Sequence, residues 1–302
     1  MRGQIITRSG DRLLVEIRDK ILRCAQRKKL PPLTVGDWVT VEQDSASTNE
    51  GVITELEERS TLLSRPDPFN QRRKPIASNI DQLLLVTASE PGIDQLQIDR
   101  IIVAAEASSI PLSIVINKVD LLSQDQRNSL KDKLKHYQEI GYPLIWISTL
   151  MSKDGEDDIE QLKQQLDGRC SVLVGPSGGG KSSIIKTLLP DGAESNKIAV
   201  GELARSIKQG KHTTSVSTLY HLNGYSEETS IIDSPGVREF GVWDLDENTI
   251  RGGFREFDLY LDQCRFSNCR HLSEPGCAVS KAVDNGEIST NRLESYRGLL
   301  EE

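Results

Sequence analysis

The sequence predicts a multidomain chain of three parts: an all-β OB-fold barrel, a central α/β domain on a parallel sheet, and a mostly helical, metal-binding C-terminal unit. Three observations lead there. Residues 1 to about 66 alternate polar and apolar side chains in five short runs, and from Asp81 buried strands alternate with amphipathic helices. Three of the five cysteines also crowd between Cys264 and Cys277 around a histidine. The expected boundaries are 1–66 for the barrel, 67–79 for a linker, 80–242 for the α/β domain and 243–302 for the metal unit.

The barrel strands are GQIITRS, RLLVEIR, ILRCAQR, DWVTVEQ and GVITELEE, separated by turn formers such as Ser9-Gly10-Asp11, Pro31-Pro32 and Gly36-Asp37. The net charge of −8 speaks against nucleic acid, but residues 1 to 29 carry nine Lys/Arg against three Asp/Glu. A basic end binds phosphate locally even in an acidic protein, and Arg23, Arg27, Lys28 and Lys29 are the candidates for an RNA-facing edge. The bland alternative is a charged edge that blocks strand pairing. Aromatic stacking residues are scarce: Trp38 is the first, and none follows before Phe69. The polar stretch Ser64 to Asn79, with Arg72, Arg73 and Lys74, reads as a partly mobile link.

In the α/β domain we expect strand DQLLLVTAS, helix 96–108, strand PLSIVINK, helix 123–140, strand PLIWIST, helix 157–167 and strand Ser171 to Val174. That last strand enters Gly175, Pro176, Ser177, Gly178, Gly179, Gly180, Lys181, Ser182 and Ser183, the spacing of a phosphate-binding loop. Its glycines let backbone N–H groups close around a phosphate, Lys181 reaches the β- and γ-phosphates, and the Ser182 hydroxyl suits Mg²⁺.

Asn117-Lys118-Val119-Asp120 ends a strand of the same sheet. The Asp120 carboxylate accepts from guanine N1–H and the exocyclic amine, a donor pair adenine lacks, so GTP is the expected nucleotide. Asn117 reaches the other base edge or braces the phosphate loop, and the Lys118 stem covers the ring. Ser148 and Thr149, at the end of PLIWI, stand where a loop backing the base belongs; a helix-start signal is the alternative.

Downstream, His212, Thr213 and Thr214 precede a strand, and either threonine is placed to complete the Mg²⁺ shell and sense the γ-phosphate. Asp233-Ser234-Pro235-Gly236 ends the strand SIID, with Asp233 suited to Mg²⁺ through water and the Gly236 N–H to the γ-phosphate. Val237 follows, where a water-orienting glutamine would serve; valine cannot, so unaided hydrolysis should be slow and His212 is the candidate replacement, an exposed loop histidine being the alternative. The guanine motif precedes the phosphate loop, the reverse of the usual order. A circular permutation explains this, because the same sheet forms when the old termini are joined.

Cys264, Cys269, His271 and Cys277 supply three thiolates and an imidazole, a set that closes a tetrahedral structural Zn²⁺ site. Arg265 and Arg270 beside it either face RNA or compensate the thiolates. Residues 247 to 263 and 278 to 300 read as helical. Cys24 and Cys170 lie outside the spacing and read as core residues. No apolar run approaches a membrane span and the first residues lack the apolar stretch of a secretory leader, so a cytoplasmic monomer without membrane contact is expected.

With these motifs, KPIASNIDQ, NKVDLL, GPSGGGKSS, GKHTTS, DSPGVREFG and CRFSNCRH followed by EPGCAV, the chain resembles the RsgA (YjeQ/YloQ) family of bacterial ribosome small subunit-dependent GTPases over nearly its whole length. The resemblance implies an OB-fold, a circularly permuted GTPase domain, a zinc domain, and a role in late small-subunit maturation. It further implies GTP hydrolysis to GDP and phosphate, stimulated by the subunit and its rRNA, with His212 as catalytic residue and Thr214 as switch threonine. Two departures are Gly179, where an apolar residue is expected, and Lys186, where asparagine is expected; a third consecutive glycine should loosen the phosphate loop. Two other readings stay open: a GTP-dependent latch on a different RNA or protein, and a P-loop kinase, against which Asn117 and Asp120 speak.

Overall fold

Among the described residues, eleven strands form one continuous sheet, and its two halves are built on different rules. The computed structural model describes residues 1–18, 20–43, 49–66, 73–90, 92–149, 156–189, 216–226, 228–234 and 245–301.

The first half is the barrel: β1 (Arg2–Ser9), β2 (Arg12–Ile17), β3 (Lys20–Gln26), β4 (Trp38–Gln43) and β5 (Glu50–Leu56). Antiparallel pairing of β1 with both β2 and β4, and parallel pairing of β3 with β5, closes the OB topology. Alternation puts Ile5, Leu13, Val15, Leu22, Val39, Val41 and Ile53 in its interior. Trp38 is not an open stacking surface: the Arg2 guanidinium lies 4.0 Å from its ring centroid and also bonds Glu57.

Part of the expected linker is a hairpin. β6 (Leu62–Pro66) pairs antiparallel with β7 (Arg73–Ser78), and a buried polar knot secures it to the barrel. Asp37, fully buried, takes Arg59 at 2.7 and 2.8 Å and Ser78 Oγ at 2.6 Å. A charge without solvent needs this many partners. Arg73 and Lys74 are exposed on the hairpin; Arg72 lies outside the described residues.

The second half is the α/β sheet: β8 (Gln82–Ala88), β9 (Leu112–Asn117), β10 (Leu144–Trp146), β11 (Cys170–Val174), β12 (Ser217–His221) and β13 (Ser230–Asp233). Among the described strands of this half, only β12 runs antiparallel to both of its sheet neighbours. Helices α1 (Gln95–Ala107) and α2 (Gln124–Glu139) share a core with Leu83, Leu85, Ile114, Ile116, Val172 and Val174 on one face. On the other, α3 (Glu156–Leu166) and α4 (Lys181–Leu188) pack on Leu84, Val86, Val115 and Leu173. Strands covered on both faces read as unbroken apolar runs for this reason.

The order of the strands displays the permutation. Strands preceding the phosphate loop, β8, β9 and β10, lie to one side of β11, and those following it, β13 and β12, lie to the other. The sheet then does not end at β12, because that strand pairs with barrel strand β1 through Thr7↔Thr218 and Arg8↔Ser217. His221 Nε2 and Glu16 Oε2, 2.7 Å apart, add a polar tie across the same junction.

The C-terminal unit is less helical than expected. Helix α5 (Glu247–Gly252) stops early, followed by 3-10 turns at Arg255–Phe257 and Leu261–Gln263. Gly253 abuts α1, where an added Cβ would lie 2.7 Å from the Val103 Cα, and the turns sink Phe254 and Phe257 into the core. Residues 278 to 300 form two helices, α6 (Ala278–Asp284) and α7 (Thr290–Leu300), separated at Gly286 by its left-handed φ of 75°.

Candidate functional site

Asn117, Ser148, Gly175 and Asp233 stand at the carboxyl ends of, or just beyond, β9, β10, β11 and β13, where α/β sheets gather ligands. Gly175 turns out of β11 with φ 123°, close enough to β8 that an added Cβ would lie 2.2 Å from the Val86 carbonyl oxygen. Gly178 and Gly180 are also left-handed, and Gly180 begins α4. Ser177, Ser182 and Ser183 are exposed and Pro176 is half-buried, the two later serines lying in the first turn of α4. Lys181 Nζ donates to the Gly175 and Pro176 carbonyls, each at 2.7 Å, which keeps the ammonium over the loop. A helix N-terminus, exposed N–H groups and a lysine form a site for a polyanion.

Gly179 is tight rather than loose. A Cβ there would come within 2.8 Å of the Val86 oxygen, so close approach of two backbones, not idle flexibility, gives the third glycine a structural reason. Lys186, the second departure, is exposed on α4.

The guanine-type motif is bonded to this loop. Asn117, fully buried, donates from Nδ2 to the Gly179 carbonyl at 3.0 Å, and its Oδ1 accepts from Lys118 N at 2.8 Å. Lys118 has φ 63° and precedes the 3-10 turn Val119–Leu121 that carries Asp120. That conformation is unfavourable for a residue with a Cβ, and neighbours hold it. Ser89 Oγ donates to the Lys118 carbonyl at 2.7 Å, and Lys118 Nζ donates to the Glu90 carbonyl at 3.2 Å. Ser148 Oγ donates to Asp120 Oδ1 at 2.5 Å, so the carboxylate is oriented while remaining exposed. Thr149 follows, half-buried. Sequence reasoning missed Ser89; its place at the end of a strand flanking the motif was the available signal.

Asp233 ends β13 opposite Thr218, and Ser234 behind it shares a 2.7 Å hydrogen bond with Ser217. His212, Thr213, Thr214, Gly236 and Val237 lie outside the described residues. Of the residues expected to hold magnesium, Ser182 lies in the first turn of α4 and Asp233 ends β13.

The second cluster comprises Cys264, Cys269, His271 and Cys277, whose ligand atoms all lie within 4.8 Å of one another. His271 Nδ1 is 3.4 Å from Cys277 Sγ and 3.7 Å from Cys264 Sγ, so this nitrogen faces the sulfurs. Amides at the start of α6 point at the thiols: Ala278 N donates to Cys264 Sγ and Ser280 N to Cys277 Sγ, both at 3.4 Å. Burial pushes the Cys269 thiol up to about 12. Burial also opposes ionisation of Cys277, but hydrogen bonds from Ser280, Cys269 and the Val279 N–H together hold that thiol below its ordinary value. Burial lowers His271, leaving its imidazole neutral and able to donate a lone pair. The Glu274 carboxylate braces the intervening loop by accepting from Arg270 and Leu272 N–H groups at 2.9 Å and Ser273 at 3.1 Å. Two buried thiols, the half-buried Cys264 thiol and an inward-facing imidazole nitrogen fit a four-coordinate metal ion. Arg270 bonds Glu247 rather than the thiols, and the Arg265 guanidinium lies 5.4 Å from the Phe266 ring.

A family model described as RsgA GTPase matches residues 56–243. A protein named Small ribosomal subunit biogenesis GTPase RsgA from Hahella chejuensis is 43% identical, over 99% of this chain and 83% of its own length. One of the same name from Haemophilus influenzae is 42% identical, over 99% and 84%. Among solved structures, YjeQ from Thermotoga maritima superposes with a TM-score of 0.73 at 28% identity, covering 100% of this chain and 99% of that one. YloQ, described as a circularly permuted GTPase, gives 0.70 at 27% identity, covering 99% and 93%. No described helix is long and apolar enough to cross a membrane. Because the likeness runs from the barrel through the metal cluster rather than stopping at the phosphate loop, the chain belongs to the RsgA GTPase family.

Proposed function

We infer that this chain is a GTPase of small ribosomal subunit biogenesis, hydrolysing GTP to GDP and phosphate with stimulation by the subunit. The observation that carries the reading is the bond from Asn117 Nδ2 to the Gly179 carbonyl, because it joins a guanine-reading turn to a phosphate cradle at one sheet end. The relatives named for small-subunit biogenesis supply the partner.

In this reading Asp120 accepts from the guanine edge, with Ser148 and Thr149 backing the base, Lys118 covering the ring and Val119 seating the turn. Gly175 to Ser183 enclose the phosphates, and Lys181 stabilises charge that grows on the γ-phosphoryl group as water attacks. Ser182, Thr214 and Asp233 would hold magnesium, which supplies neutralisation of the β- and γ-phosphate charges when bound. The Gly236 N–H meets the γ-phosphate, Thr214 senses it, and His212 positions water in place of the glutamine that Val237 lacks. The thiol–imidazole donor set favours structural zinc, since sulfur-rich tetrahedral sites without an open position are typical of that ion. We assign residues 1–66 to an RNA-binding barrel, 67–79 to a connecting segment that includes strand β7, 80–242 to the permuted GTPase and 243–302 to the zinc unit, acting as a cytoplasmic monomer.

Two measurements on the purified chain test this. GTP should bind at least about a hundred-fold more tightly than ATP. Its hydrolysis should be slow alone and accelerate when small subunits are added, whereas equal rates with and without subunits would remove the partner assignment.

A further inference from the structure

We propose that Ser89 is a positioning residue for guanine recognition, fixing the turn that presents Asp120. The inference rests on the guanine reading above and adds to it a residue outside every nucleotide-binding motif.

Lys118 is the pivot of that turn. Its left-handed backbone redirects the chain from β9 into the 3-10 turn, and its carbonyl accepts from Leu121 N at 3.1 Å to close it. No side chain caps this turn from within. The second bond to the Lys118 carbonyl comes from Ser89 Oγ at 2.7 Å, while Ser89 N donates to the Asn117 carbonyl at 3.0 Å. Ser89 thus grips both peptide units on which the redirection depends, and it is only 8% exposed, so water does not readily replace it.

The same strand end governs the phosphate side. Val86, three residues earlier, presents its carbonyl against Gly175 and Gly179. The segment from Val86 to Ser89 therefore spaces the phosphate cradle from the guanine turn, and Ser89 is its polar anchor. Since Ser148 already orients one oxygen of Asp120, a shift of the turn would misalign a carboxylate that must meet two donors together.

The test compares Ser89→Val with Ser89→Thr, equal in shape and different in the hydroxyl, beside Ser89→Ala. Equilibrium binding is measured for GTP and for ITP, which keeps N1–H and lacks the 2-amino group, with thermal unfolding as the control for folding. Ser89→Val and Ser89→Ala should weaken GTP binding roughly five- to ten-fold. ITP should lose less, narrowing the preference for GTP, because the second bond of a misaligned carboxylate fails first. Ser89→Thr should keep most of the wild-type preference. Unchanged GTP affinity in Ser89→Val, or equal losses for GTP and ITP shared by Ser89→Thr, would overturn the assignment. Wild-type protein that binds ATP as well as GTP would instead sink the guanine reading, and Ser89's role with it.

Discussion

The five cysteines divide into two chemical populations. Cys24 and Cys170 sit in apolar cores, where burial pushes their thiols up to about 12 and about 11. A raised thiol pKa means less thiolate, so at neutral pH neither is a nucleophile. Cys264, Cys269 and Cys277 face one another, and a bound metal ion would hold them as unreactive thiolates. Thiol titration at pH 7.5 should therefore find no fast-reacting cysteine in the metal-loaded protein. After chelation the three cluster thiols should react while Cys24 and Cys170 wait for unfolding. Fast labelling of the loaded protein at Cys264 or Cys277 would exclude a closed metal site.

At the scale of elements, the phosphate loop shows what sequence can and cannot convey. Its spacing fixed the chemistry at once, since glycine, lysine and serine positions map directly onto backbone turns and phosphate contacts. Gly179 read only as a departure, because the carbonyl of Val86 that crowds it belongs to another strand. Gly179→Val should therefore lower the unfolding midpoint, by overpacking of about 1–3 kcal/mol, and should not tighten GTP binding. Tighter binding by that variant would restore the view of a loop weakened by glycine. The same divide runs through the other elements. Five barrel strands and the alternating strands and helices were legible from periodicity, and so was the metal cluster from spacing. The β6–β7 hairpin was not, because its polar sequence is held by the distant Asp37, and neither was the early end of α5 at Gly253, set by contact with α1. Ser89 and the left-handed Lys118 escaped for the same reason: their partners are across the sheet rather than along the chain.

Across the whole molecule, one buried ion cluster fastens the metal-binding unit to the GTPase sheet. Arg292 on α7 is 1% exposed and bonds Asp99 of α1 at 2.6 Å and Glu256 at 2.6 and 3.1 Å. Tyr137 of α2 donates to the same Asp99 oxygen at 2.7 Å, and Arg292 stacks on Phe254 at 4.2 Å. Truncation would strand two acidic groups, so Arg292→Ala should cost about 3–5 kcal/mol in denaturant unfolding. Arg255, which bonds Glu106 nearby but is 45% exposed, should cost about 0–1 kcal/mol when replaced by alanine. Equal effects of the two would deny the buried cluster its fastening role.

The pairing of β1 with β12 also sets a schedule for the newborn chain. Thr7 emerges before its partner Thr218, by roughly ten to forty seconds at ordinary elongation rates. The barrel can close around β4 in that interval, but the far end of β1 must present bare backbone along one edge until β12 arrives.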